Sequence, residues 1–85
     1  MAKTIHRNDY LQLVAFLRDR RESMGVSQSA LARELGWTQQ RISYIEKGIR
    51  RMDVLEFIGL ARALGVSPLS ALRRAERFAV KHSRK

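Results

Sequence analysis

Apolar side chains recur along the chain at intervals of three and four residues, and five glycines and one proline cut that pattern into five segments. Such spacing gathers the apolar side chains on one face of an α-helix, whereas a strand would alternate them. The first predicted helix runs from Asp9, as its N-cap, to about Met24, with Leu13, Phe16, Leu17 and Met24 inward and Gly25 as its left-handed stop. Val26 then enters the core. The second opens at Ser27, whose hydroxyl can cap free amides, places Leu31 and Leu35 four apart and ends at Gly36. Thr38 caps a third, with Ile42 and Ile45 on its buried face and Gly48 as its stop.

Asp53 followed three residues later by Glu56 has the form of a capping box, and opens a fourth helix that turns Leu55, Ile58, Ala61 and Leu64 inward before Gly65. Ser67 before Pro68 starts a fifth, because proline at the first helical position gives up no hydrogen bond. Its apolar positions Leu69, Leu72, Ala75, Phe78 and Ala79 extend beyond what a minimal bundle needs. The predicted fold class is all-α, a five-helix bundle. Residues 9–80 form the expected domain, with 1–8 and 81–85 as flexible basic termini.

Composition narrows the function. A domain of roughly 60 to 80 residues buries only about 60% of its unfolded surface, leaving little room for an enclosed substrate cavity. Cysteine is absent, which removes disulfides, thiolate zinc sites and thiol nucleophiles, and the two histidines, His6 and His82, lie near opposite ends. No metal-ligand spacing and no carboxylate pair at a cleft is present, so neither an enzyme nor a metal or other cofactor is expected. The longest nearly apolar stretch, Leu11 to Leu17, falls far short of the about 20 residues of a membrane span, and no signal-peptide pattern follows Met1. A cytoplasmic chain without a membrane partner is the expectation, and the missing cysteines suit a reducing compartment.

The formal charge of +9 points toward a polyanion. It is unevenly placed: residues 73–85 hold six basic side chains and one acidic, a net +5. That tail reads first as a solubilising, weakly attracting end, with an arm that touches nucleic acid as the alternative. Residues 28–47, by contrast, carry Arg33, Arg41 and Lys47 against Glu34 and Glu46, a net of only +1.

Those residues fit a helix-turn-helix. Two short helices that cross steeply need a small residue at closest approach, Ala32, and the turn needs a left-handed position, Gly36. Leu31, Leu35, Ile42 and Ile45 form the shared seam. On these residues, and on the strings Gly25-Val-Ser-Gln28, Ala30-Leu-Ala32, Leu35-Gly36, Ile42-Ser-Tyr-Ile-Glu-Lys-Gly48 and Leu60-Ala-Arg-Ala-Leu-Gly-Val-Ser-Pro68, the chain resembles the Cro and Xre-type repressor family from about Leu11 to Leu72. The resemblance implies a lambda-repressor-like five-helix bundle that binds the major groove of double-stranded DNA. Trp37 departs from the family, where a smaller aliphatic residue is usual, and reads as a half-buried plug of the turn.

In that arrangement the third helix enters the groove N-terminus first, so Gln39 and Gln40 sit nearest the base edges, and several lambdoid repressors also place glutamines there. A carboxamide carries both a donor and an acceptor, which suits adenine N6 and N7. Tyr44 and Ser43 lie further along the same strip. Arg41 reaches either guanine or a phosphate, and the sequence does not choose. Gln28, Thr38, Lys47, Arg50 and Arg51 are the expected phosphate contacts, giving a salt slope near −5 if about six groups neutralise phosphates. The competing readings are solvated helix formers for Gln39 and Gln40, a partly buried ring with its hydroxyl in water for Tyr44, and a solvated pair for Arg50 and Arg51.

One domain contacts too few base pairs for selectivity in a genome, which implies a homodimer on an inverted repeat. Leu69, Leu72, Ala75 and Phe78 of the fifth helix are the expected interface, unless they only finish the monomer core. The functional expectation is a transcriptional repressor. The alternative is an antitoxin or adaptor that binds a protein partner and autoregulates its own operon.

Overall fold

The computed structural model describes the backbone of residues 2–83 and the side chains of residues 9–77. Its helices are α1 (Ala2–Ser23), α2 (Gln28–Leu35), α3 (Gln39–Glu46), α4 (Val54–Ala63) and α5 (Pro68–Ser83), and the described residues contain no strand. The N-caps of α2, α3 and α4 are those the sequence predicts. Ser27, extended at φ −76° and ψ 162°, accepts from the Ala30 N–H at 3.0 Å, and Thr38 from the Arg41 N–H at 3.2 Å. Asp53 and Glu56 bond each other's backbone N–H at 2.7 and 2.9 Å, a reciprocal box. Gly36, at φ +73°, turns the chain between α2 and α3 while the Trp37 N–H bonds back to the Ala32 carbonyl at 2.8 Å.

Val14 and Leu17 of α1, Leu31 and Ala32 of α2, Ile42 and Ile45 of α3, Phe57, Leu60, Ala61 and Leu64 of α4, Met52 and Ala71 make the buried core. α2 and α3 pack on one another with Ala32 in that core, α1 pairs with α5, and α4 lies behind α2 and against α5. Two arginines tie the outer helices: Arg20 Nε caps the α4 C-terminus at the Leu64 carbonyl, 2.9 Å, and Arg74 lies 4.6 Å over the Phe16 ring.

The structure corrects several expectations. Asp9 is not an N-cap, because no glycine or proline interrupts residues 2–8 and α1 continues back to Ala2; α5 likewise runs on to Ser83. Met24 is exposed, because α1 stops at Ser23 and the turn at Gly25 carries it off the buried stripe. Leu55 is 78% exposed. Ala61 and Leu64 are buried as expected and Ile58 is half-buried, but Phe57 and Leu60 complete the stripe in place of Leu55, because Glu56 and not Leu55 is drawn inward. On α5, Ala71 fills the core while Leu69 and Leu72 are exposed, so these two leucines do not finish it. Ala75 is half-buried, and the side chains of Phe78 and Ala79 lie outside the described residues.

Candidate nucleic-acid interface

α3 presents Gln39, Gln40 and Tyr44 to solvent with Ser43 half-buried beside them, and the elements beneath it determine how those side chains are held. The deepest link is an ion pair. Arg21 of α1, 8% exposed, bonds both oxygens of Glu46 at the end of α3, Nε to Oε2 at 2.7 Å and Nη2 to Oε1 at 2.9 Å, and gives Nη1 to the Val26 carbonyl at 2.7 Å. The Glu46 hydrogen bonds raise the Arg21 pKa above its ordinary value against the opposing effect of burial.

From Glu46 the network runs outward. Gln28 Nε2 donates to Glu46 Oε1 at 2.9 Å, and Gln39 Nε2 donates to Gln28 Oε1 at 2.6 Å. A carboxamide has two N–H donors and an oxygen with two acceptor sites. Gln39 spends one donor on Gln28 and keeps the other, together with its oxygen, at the exposed N-terminus of α3. That is the donor and acceptor pair an adenine edge requires. Gln28, expected as a phosphate ligand, is half-buried; one N–H is on Glu46 and its oxygen accepts from Gln39, which links it to α3 and leaves its second N–H for another acceptor. Gln40 Nε2 donates to the Tyr44 hydroxyl at 3.2 Å, one helical turn on.

A second network flanks the first. The Arg41 guanidinium lies 4.1 Å over the Trp37 ring and is bound to Glu56 Oε2 through Nε at 2.9 Å and Nη2 at 2.6 Å. Arg50 Nη2 bonds the same oxygen at 2.7 Å. Burial of Glu56 pushes its carboxyl pKa up, but the hydrogen bonds from Arg50, the Asp53 N–H and Arg41 outweigh it and hold the group at about 2. Arg51 lies 4.6 Å over the Tyr10 ring, and the Tyr10 hydroxyl accepts from the Met52 N–H at 3.0 Å. Lys47 and Thr38 are exposed, the threonine hydroxyl already serving the α3 cap.

Arg21, Glu46, Glu56 and Tyr10 were not picked out by sequence reasoning as parts of the site. One signal was present: Arg21 continues the Val14 and Leu17 stripe, and a charge on an apolar stripe needs a buried partner.

Comparison with known proteins agrees with this geometry. A family model described as helix-turn-helix, of the Cro/C1 type, matches residues 17–70. Among solved structures, an Xre-family-like protein from Pseudomonas syringae pv. tomato str. DC3000 is 37% identical and superimposes with a TM-score of 0.84 over 89% of this chain and 93% of its own. No curated protein matches. The matched span holds α2, α3 and α4 whole with the adjoining parts of α1 and α5, and with it the chain belongs to the Cro/C1-type helix-turn-helix family of DNA-binding transcription regulators.

Proposed function

We propose that this regulator is a repressor that binds as a homodimer to an inverted-repeat operator, with α3 of each copy in the major groove. The observation that carries the reading is the free donor and acceptor of Gln39, presented at the start of α3 by a hydrogen-bonded chain that begins at the buried Arg21. Gln39 and Gln40 read adenine, Tyr44 meets a thymine methyl or a phosphate, and Ser43 lies against the groove wall. Thr38, Lys47, Arg50 and Arg51 meet the backbone, where each neutralised phosphate adds to the salt dependence. Repression follows from occupancy, since a dimer seated over a promoter excludes the polymerase.

Leu69 at 60% and Leu72 at 48% exposure supply apolar area on α5 for the second copy. Ala75 borders them, and Phe78 belongs to the proposed surface by its helical spacing alone. Selection of bound sites from a random DNA pool tests the whole reading. The expected product is a palindrome with adenines in each half-site and half-site centres about 10 to 10.5 base pairs apart. A pool that shows no enrichment rejects sequence-specific binding, and an enriched site without symmetry rejects the dimer.

A further inference from the structure

Glu56 lies beneath the proposed DNA face at 3% exposure, and its Oε2 receives Nη2 of Arg41 at 2.6 Å and Nη2 of Arg50 at 2.7 Å. The two guanidinium nitrogens therefore lie no further apart than those two distances placed end to end. Both belong to an open concavity of about 420 Å³ lined by Thr38, Gln40, Arg41, Tyr44 and Arg50. Two cations share one carboxylate, which leaves one positive charge uncompensated at the rim. A guanidinium has five N–H donors. Glu56 takes two from Arg41 and one from Arg50, and the rest remain for another acceptor. Stacking on Trp37 further limits the motion of Arg41.

We propose that this concavity seats one backbone phosphate of the bound DNA between Arg41 and Arg50, and that Glu56, which the DNA does not touch, is the positioning residue that holds both guanidiniums there. The inference rests on the reading that α3 faces DNA. A phosphate suits the site because its oxygens are acceptors only, and guanidinium donors meet two of them in a planar fork. Arg41 is thereby a phosphate ligand and not a reader of guanine. The fork stays set before binding, because Glu56 restricts both side chains in the free protein.

The test measures binding of the full chain to a duplex selected for it and to a scrambled duplex of equal length, across a range of KCl concentrations. Arg41→Ala and Arg50→Ala each reduce the salt slope by about 0.9, and the double variant by little more than either alone, since both serve one phosphate. Glu56→Gln keeps the oxygen that caps the Asp53 N–H but loses the charge that holds the arginines. Its melting transition stays cooperative, its affinity for the selected duplex falls by about tenfold, and its affinity for the scrambled duplex is held or rises with the added net charge. A purely structural glutamate would lower both affinities together. The proposal is overturned if Glu56→Gln leaves the ratio of the two affinities unchanged, or if Arg41→Ala abolishes preference at one guanine with no change of slope. A wild-type chain that binds no duplex at all overturns both this seat and the function above; one that binds, with the Glu56→Gln ratio intact, overturns the seat alone.

Discussion

Gln39 Nε2 lies 2.6 Å from Gln28 Oε1, so the first residue of the recognition helix is hydrogen-bonded to the first residue of the helix that precedes it. The contact crosses the turn that Gly36 makes, and couples an exposed side chain of α3 to Glu46 and Arg21 behind it.

Removal of the Gln39 amide tests the reading role of that contact. Gln39→Ala weakens specific binding by about 1 to 3 kcal/mol and leaves the salt slope unchanged, because no phosphate contact is lost. Gln28→Ala weakens it as well, and a double-mutant cycle returns a coupling of about 0.5 to 3 kcal/mol between the two glutamines. Competition titrations at fixed salt provide both numbers. Additive effects would show that Gln28 does not act through Gln39.

Arg51 stands on the Tyr10 ring outside both networks, so its loss is a loss of backbone charge. Arg51→Ala lowers the salt slope by about 0.9 and leaves sequence preference as it was. Titrations of selected and scrambled duplexes at several salt concentrations check this.

The Arg21–Glu46 pair is buried, with side chains 10% and 11% exposed. Glu46→Ala strands the arginine charge and costs about 3 to 5 kcal/mol of stability. The double variant with Arg21→Met costs less than the sum of its parts, since no unpaired charge is then left inside. Urea denaturation of the three variants measures this.

Glu56 makes stability depend on acid. Its carboxyl pKa falls from 4.5 to about 2 on folding, so the stabilisation is fully present above pH 4.5 and is lost as the pH drops toward 2. The shift corresponds to about 3 kcal/mol at most, the net of what Arg50, the Asp53 N–H and Arg41 contribute after the opposing cost of burial. Wild type loses stability relative to Glu56→Gln across that window in urea titrations. Parallel curves would show that the ion pairs contribute nothing.

Leu69 and Leu72 test the dimer. Sedimentation equilibrium of the wild type shows a mass that rises from one copy toward two with concentration, and Leu69→Glu with Leu72→Glu holds it at one copy. Because both leucines are exposed in the monomer, the melting temperature of the dilute variant stays within a few degrees of the wild type. A wild-type mass fixed at one copy rejects the α5 interface.

The helix-turn-helix was legible in the sequence because its rules are local. Ser27, Thr38 and Asp53 cap amides three residues away, and Gly36 adopts a positive φ for its own backbone. Ile42, Ile45, Leu31 and Ala32 follow the periodicity of short helices with one plausible inward face. Candidate readers followed from their position after the Thr38 cap. Which side chains are free and which are bound was a tertiary matter. Periodicity in α4 admits two apolar stripes about 100° apart, and only Glu56 turning in to meet Arg41 and Arg50 sends Leu55 outward. Gln28 and Arg41 look like unattached side chains until the residues that hold them, 18 and 15 positions away, are brought alongside. The sequence by itself determined where α2, α3, α4 and α5 begin and marked α3 as the candidate DNA-facing helix, since caps and turns need only near neighbours. How that helix is held was decided by the crossing of α1, α2, α3 and α4, because a hydrogen-bond partner remote in sequence exists only after the helices have packed.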